Sequence, residues 1–539
     1  MARQQSSGGK ARRPGRVVVL VGFQFMGNLG LGYLASCLRE AGFAVRLLDI
    51  ETPVDELVEA IREADPLLAG FSLIFQFYIR RYQSLLRALR EAGVKCHFTM
   101  GGHYPTLSSR QTLLTIPELD SVVRYEGEIT LIEMARAMAE GRDWRGLDGI
   151  AYRRNGEVAA NADRALIADL DRLPYPDRSH EPPAILGRRT MPIMASRGCV
   201  RTCSFCSIHK FYRNAPGKVV RVRRPAEVVR EMLFLHRSHG TDIFLFQDDN
   251  FPMRGKKWHA WAGAFVDELH AAGLPGRVLW KISCRADTLD AELLTRMRDA
   301  GLFLVYLGLE SGTEEGLRTL NKEVTVEQNL AAVRLLKVLG IRFQFGFMLL
   351  DPSSTFESVA GNIAFLREIV GDGCTSATFC KMLPYDGTPI KEALLVAGRL
   401  KGDVCTPDYD FLDPQLDAFS AALARILQVT GWVHGDQALS LQIDTAWAEL
   451  ELIRQLYPPL AGADVYEAAL RRLTRRSNAL LFQAVEQTAR HYRTGDGQTP
   501  DPAALHRRCG QTLKRLLQER NGFIAAHQAT LLEALSRAA

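Results

Sequence analysis

The chain has 539 residues, 47% of them hydrophobic and 24% charged, with a formal net charge of +6. That length exceeds one ordinary core and predicts two to four domains of globular composition. The positive balance is mild and forms no basic stripe interleaved with aromatics, which excludes a nucleic-acid surface; ten cysteines are too few for a disulfide scaffold. Three of the ten fall within eight positions, which predicts a reducing, cytoplasmic setting with one metal site.

In chain order, residues 1–15 are basic and polar and read as a disordered tail. Val17 to Leu38 carries no charge for 22 residues, but Gly22, Gly27, Gly30, Gly32, Gln24 and Asn28 interrupt it. No membrane span is expected there. "RVVVLVGF" instead reads as a buried parallel strand and "LGYLASCLREAG" as a helix ending at Gly42. "AVRLLDI", "LLAGFSLI", "KCHFTMGG" and "LDSVVRYEG" add strands, with "YQSLLRALREAG" a helix among them. Residues 16–145 are therefore expected to form a doubly wound, Rossmann-like α/β sheet with its ligand at the carboxyl ends of the strands. Those ends are rich in glycine, which lets a large flat ligand approach the backbone.

Residues 146–190 read as a linker: a small hairpin, "GIAYRRNGEV", then "DLDRLPYPDR", whose prolines enforce an extended path. Over 191–400, "TMPIMAS", "DIFLFQDDNF", "VLWKISCRAD", "LFLVYLGLES", "IRFQFGFMLL" and "SATFCKML" are six strands, most followed by a helix. Thr325 to Gln328 is a capping box, with Leu330, Val333 and Leu336 as the inner stripe of its helix. The pattern predicts a partial (β/α)6 TIM barrel with its active site on the C-terminal rim of the strands. Residues 401–539 are expected to be a helical C-terminal domain.

"RGCVRTCSFC" sets Cys199, Cys203 and Cys206 at C-x3-C-x2-C spacing directly after the first barrel strand. A structural zinc site closes with four ligands, whereas three leave a position open for chemistry. Placed there, with Phe205 before the last cysteine, the motif resembles the radical S-adenosylmethionine superfamily. The resemblance implies that the three thiolates hold a [4Fe–4S] cluster. Its fourth iron would bind S-adenosylmethionine, and reductive cleavage would release a 5′-deoxyadenosyl radical. By position it also implies cofactor contacts from Asp248, Asp249 and Asn250 after strand two, and from Cys284, Arg285 and Asp287 after strand three. Glu310 and Ser311 after strand four complete that set. The competing reading is that the aspartates only cap helices.

"LGLGYLASCLREAGFAVRLLD", "GGHYPT" and "VRYEGE" resemble the cobalamin-binding domain preceding the barrel in one branch of that superfamily, the class B methyltransferase-like enzymes. On this resemblance Gly101, Gly102, Gly127 and Glu128 contact cobalamin. The D-x-H-x-x-G motif is absent, which implies a base-off cofactor and leaves His97 and His103 as ordinary strand-end residues. The implied activity is C-methylation of an unactivated carbon in a small-molecule substrate, with electrons from an external flavodoxin or ferredoxin. The alternative is a cobalamin-dependent cyclase or rearrangement enzyme, and a third reading is a cluster carrier without catalysis. Arg471, Arg472, Arg475 and Arg476 read as a solvated or ion-paired helix face.

Overall fold

The computed structural model describes residues 16–538 apart from Met26, Glu181, His434 and Asp436, so the expected tail at 1–15 lies outside the described residues. The chain forms two compact units. One comprises the residues up to 167 with 172–180 and 214–217; the other comprises 168–171, 181–213 and 218–539.

The first unit is built on one sheet of strands β1 (Val17–Gly22), β2 (Ala44–Asp49), β3 (Leu68–Ser72), β4 (His97–Gly101), β5 (Ser121–Val123), β6 (Ile150–Arg154) and β7 (Glu157–Ala160), in the order β2-β1-β3-β4-β5-β6-β7. The pairs from β2 through β5 are parallel, and Val18 to Val21 in β1 are fully buried, as a strand covered on both faces must be. Asn28 caps the helix Leu29–Glu40, its Oδ1 accepting from the Leu31 N–H at 3.0 Å.

The linker expectation needs correction here. The hairpin at 150–160 is part of this sheet: β6 lies antiparallel to β5, with Val123 opposite Ile150. Left uncovered, the outer edge of β5 would expose unpaired N–H and C=O groups, and the hairpin satisfies them. Arg153 strengthens the join by donating to the carbonyls of Leu113, Ile116 and Leu119. Further along, the Asp177 N–H donates to Gly32 O at 3.0 Å, and the Arg39 guanidinium pairs with the Asp177 carboxylate.

In the second unit β8 (Arg189–Ile193) leads to a two-stranded ribbon, β9 (Ser196–Arg197) with β10 (Arg221–Val222). The main sheet continues with β11 (Thr241–Phe246), β12 (Leu279–Arg285), β13 (Leu302–Glu310), β14 (Arg342–Leu350) and β15 (Cys380–Lys381). Its order is β15-β14-β13-β12-β11-β8 with every pair parallel, the sheet of a partial barrel. Alternation along β12 sends Trp280, Ile282 and Cys284 into the core shared with the outer helices. Lys281, Ser283 and Arg285 therefore face the barrel interior. Its floor is apolar: Ile243, Leu279, Phe303 and Leu304 meet Leu452 of the helix Leu439–Leu456. The capping box at Thr325 and Gln328 forms as expected.

The C-terminal region is helical, as expected, and lies in one compact unit with the barrel. A short antiparallel hairpin, β16 (Leu400–Gly402) with β17 (Pro407–Tyr409), crosses the expected boundary at 400. The helices that follow share one continuous core with the barrel, including Trp432, Trp447, Leu470 and Phe482. Asn478, fully buried on the helix Ala463–Thr494, accepts from the Ala377 N–H and donates to the carbonyls of Val370 and Thr375. Buried polar groups are retained where every bond is met, and this side chain pins the helix Ala463–Thr494 to the final barrel loop.

Candidate active site

The cysteine segment is a loop closed at its neck by the β9–β10 ribbon. Gly198 makes the closure possible: it has φ +90°, and a Cβ there would stand 1.9 Å from Val219 O. The loop is tied down further along. The Ser204 N–H donates to Leu320 O at 2.9 Å, Ser204 Oγ to Thr319 O at 2.7 Å, and Asn321 Nδ2 to Thr202 O at 2.8 Å. Phe205 packs against the core.

Each sulfur has a donor. Arg285 Nη1 donates to Cys203 Sγ at 3.5 Å. Backbone N–H groups of Arg201 and Ile208 favour the thiolates of Cys199 and Cys206. Burial opposes them, raising the Cys199 thiol and pushing Cys206 up to about 12, so the thiols hold their protons until a metal displaces them. Beneath the loop Arg201, Arg254 and Arg285 converge on Asp287, and Arg201 also pairs with Glu323. Three guanidiniums against two carboxylates leave a positive excess, which suits a cluster held by three thiolates. Among the described residues no three His, Cys, Asp or Glu side chains converge as they would round a single ion.

The expected cofactor contacts divide into two groups. Asp248 is buried and committed: it accepts from Ser196 Oγ at 2.5 Å and from the Ala195 N–H at 3.1 Å, while desolvation pushes its carboxyl up to about 7. It holds the strand that enters the cysteine loop. Arg285 and Asp287 are likewise spent on the loop, with Arg285 also donating to Lys322 O. Cys284 points into the helix-side core, not to the rim. Ser311 is fully buried, its Oγ bonded to Thr313 in its own loop and to Asn362 Oδ1 on the helix Phe356–Val370. These five side chains are engaged within the protein, and of them Arg285 alone reaches a cysteine of the loop.

The other three remain available. Asp249 accepts from the Gly198 N–H at 2.8 Å yet keeps an exposed surface, while desolvation pushes its carboxyl up to about 6. Asn250 presents a buried Oδ1 with no partner. Glu310 ends β13 at φ +66°, a conformation L residues rarely adopt, where β13 slips register against β14. Its Oε1 accepts from Lys322 Nζ at 2.8 Å. Strain of this kind persists where surrounding structure enforces it, often at functional sites. Sequence reasoning missed Arg201, Arg254 and Lys322, because only the fold brings them to the loop.

In the first unit a slot of about 70 Å³ lies at the strand ends, lined by Leu20, Gly70, Thr99, Gly101, Gly102 and Gly127 among others. A slot of that size takes a planar ring, not a macrocycle. The glycines beside it do different things. A Cβ at Gly127 would meet Leu34 and Val123 at 3.3–3.4 Å, within the slot wall. Gly102 sits at φ +107° with Leu73 O 2.4 Å from an added Cβ, and Gly32 makes room for the Asp177 backbone, so both serve chain packing. Glu128 is buried in the first turn of the helix Gly127–Ala139. His97 is bonded to Ser121 Oγ at 2.8 Å and packs edge-on against Trp144; burial lowers its imidazole to about 4. His103 opens the helix His103–Leu107, and burial lowers it also to about 4.

Residues 15–135 match the model of the B12 binding domain, and residues 193–366 match that of the radical SAM superfamily. The chain is a B12-binding member of the radical SAM superfamily. Its cofactors are a [4Fe–4S] cluster, S-adenosylmethionine and cobalamin, which the loop sulfurs, the rim and the strand-end slot fit. An uncharacterized methyltransferase of Pyrococcus horikoshii is 29% identical over 392 residues, 72% of this radical SAM enzyme and 82% of that protein. The anaerobic magnesium-protoporphyrin IX monomethyl ester cyclase of Cereibacter sphaeroides is 32% identical over 348 residues, 61% of this chain and 54% of the cyclase. The solved structure of the cobalamin-dependent S-adenosylmethionine radical enzyme OxsB, with aqua-cobalamin bound, shares the fold. Its TM-score is 0.67 at 18% identity, covering 97% of this chain and 84% of that one. No helix among the described residues is long and apolar enough to cross a membrane.

Proposed function

We propose that this radical SAM enzyme is a C-methyltransferase acting on an unactivated carbon of a small molecule, with electrons from an external flavodoxin- or ferredoxin-type donor. The extent of the likeness carries this reading. The match to the Pyrococcus horikoshii methyltransferase spans 82% of that protein, whereas the match to the cyclase spans 54% of its length. When bound, the cluster with S-adenosylmethionine supplies a hydrogen-abstracting radical, and cobalamin supplies a methyl group. In this reading Cys199, Cys203 and Cys206 hold the cluster, and Arg285 offsets the charge on Cys203. Asn250 Oδ1 offers an acceptor to the cofactor's amino group, and Glu310, fixed by Lys322, lines the inner rim. Gly101, Gly127 and their neighbours hold the planar tail of cobalamin.

The identity to the cyclase supports a second reading, ring formation without methyl transfer. A substrate-free assay separates the two. Reduced enzyme loaded with cobalamin is given methyl-deuterated S-adenosylmethionine, and both cobalamin and nucleoside products are analysed. A methyltransferase labels cobalamin and forms S-adenosylhomocysteine as well as 5′-deoxyadenosine. Formation of 5′-deoxyadenosine alone, with unlabelled cobalamin, would favour the cyclase.

A further inference from the structure

We infer that the barrel interior holds a subsite for an anionic group of the substrate, formed by the Lys281 ammonium and the Tyr306 hydroxyl. The inference rests on the reading that the barrel accepts a small-molecule substrate, and it names the chemistry that substrate must carry.

Lys281 lies in mid-strand on β12, on the inner face, because its neighbours Trp280 and Ile282 are packed against the outer helices. Its Nζ donates to Ser283 Oγ at 3.1 Å and stands 5.5 Å from the centre of the Tyr306 ring. Among the described residues no carboxylate pairs with it. Glu310, at the end of the neighbouring strand on the same face, pairs with Lys322 at 2.8 Å. One cation is therefore left uncompensated above the apolar floor of Ile243, Leu279 and Leu304. Taking an ammonium out of water without a counter-charge costs stability, and desolvation does lower its pKa. A fold keeps such a group where a ligand completes it.

Tyr306 supplies the second donor. It stands opposite Ser283 in register, and 38% of its surface is open, although it lies in the middle of a barrel strand. Burial, and after it the charge of Glu310, pushes its phenol up to about 12, so the hydroxyl remains a donor at working pH. Space is provided above it. Gly308 and Gly346 face each other in register, and a Cβ at Gly346 would come within 3.0 Å of Tyr306 Oη. A Cβ at Gly308 would stand 2.7 Å from both Glu310 Oε1 and Lys322 Nζ. A cation and a hydroxyl donor on neighbouring strands of the inner face, beside space left by glycines, fit the oxygens of a carboxylate or a phosphoryl group. Anchored there, the remainder of the molecule extends toward the rim that carries Glu310, Asp249 and the cysteines.

The test uses the enzyme loaded with its cluster and cobalamin. It is pulse-labelled anaerobically with acetic anhydride, and modification of Lys281 is read by peptide mass spectrometry. Parallel samples contain inorganic phosphate, acetate or S-adenosylmethionine. Slower labelling of Lys281, but not of the surface residues Lys256 and Lys257, is the expected result. Phosphate protection identifies a phosphoryl group, and acetate protection a carboxylate. Protection by neither anion overturns the subsite. Protection by S-adenosylmethionine alone also overturns it, assigning the ammonium to the cofactor's own carboxylate. In a calorimetric titration, Lys281→Met should bind the protecting anion about tenfold more weakly, the scale of one charged hydrogen bond, while Lys281→Arg retains it. The labelling arm needs no variant, so it decides even if Lys281→Met does not fold. Methyl transfer to cobalamin is measured on the same preparations without anion, so failure of the methyltransferase reading is scored separately.

Discussion

Arg285 Nη1 donates to Cys203 Sγ at 3.5 Å while the same guanidinium pairs with Asp287 Oδ1 at 2.9 Å. The arginine is thus held by a carboxylate and aimed at one cysteine of the trio. A cation beside a cluster ligand favours the reduced, more negative state, so removing it makes reduction harder. Arg285→Met should retain iron but shift the cluster potential downward by tens of millivolts in a redox titration followed by electron paramagnetic resonance. An unchanged potential would make Arg285 a packing residue only.

Replacing Cys199, Cys203 and Cys206 together by alanine should remove the cluster. Reconstituted wild type is expected to hold about four irons per chain, with the absorption band of a [4Fe–4S] centre. The triple variant should lose both iron and acid-labile sulfide. A full complement of iron in that protein would end the assignment of these residues as ligands.

The two kinds of glycine in the first unit should behave differently. Gly127→Leu projects into the slot, so cobalamin loading should fall while the unit still folds. Gly102→Ala places a Cβ 2.4 Å from Leu73 O at φ +107°, and it should destabilise by about 1–3 kcal/mol whether or not cobalamin is present. Thermal unfolding with and without hydroxocobalamin distinguishes them. The reduced cobalamin complex should show no imidazole nitrogen coupling, since His97 is spent on Ser121 and Trp144. Such a coupling would contradict the base-off reading.

The legible and illegible parts of this enzyme differ by how local their causes are. The cysteine spacing and the strand periods are written within a few residues, so the loop and both sheets could be read directly. The linker reading failed because nothing in "GIAYRRNGEV" announces that β5 has an open edge for it to cover. Asp287 read as a ligand contact, because its three arginines lie at 201, 254 and 285 and meet only in the fold. The surroundings of Ser311 were hidden for the same reason, its partner Asn362 standing 51 residues away. Lys281 and Tyr306 did leave a sign: each is a polar interruption in an apolar strand at the period of the inner face.

Glu310 and Lys322 form a largely shielded ion pair, with side-chain exposures of 12% and 5%. Removing one partner leaves the other charge stranded, a loss of about 3–5 kcal/mol for a fully buried pair. Glu310→Ala should therefore lower the unfolding midpoint more than Glu310→Gln, which still offers an acceptor to Lys322. Both should suppress 5′-deoxyadenosine formation while cobalamin loading is unchanged. Normal nucleoside release from folded Glu310→Gln would remove Glu310 from the active rim.

A buried acid on the C-terminal helices gives a prediction about pH. Asp444 Oδ1 accepts from the Ser376 and Thr375 hydroxyls and the Ser376 N–H, and desolvation pushes its carboxyl from 3.8 up to about 6. Between those values the folded state keeps a proton that the unfolded chain has released, so this residue's contribution to stability declines as pH rises. The gap corresponds to about 3 kcal/mol at most, fully felt above pH 6. Asp444→Asn keeps an oxygen facing Ser376 and Thr375 but cannot ionise. Its unfolding midpoint should lie above that of the wild type at pH 8, and the difference should shrink toward pH 5. Should the variant instead be less stable at pH 8, Arg342, which favours the ionised carboxylate, outweighs burial at this position.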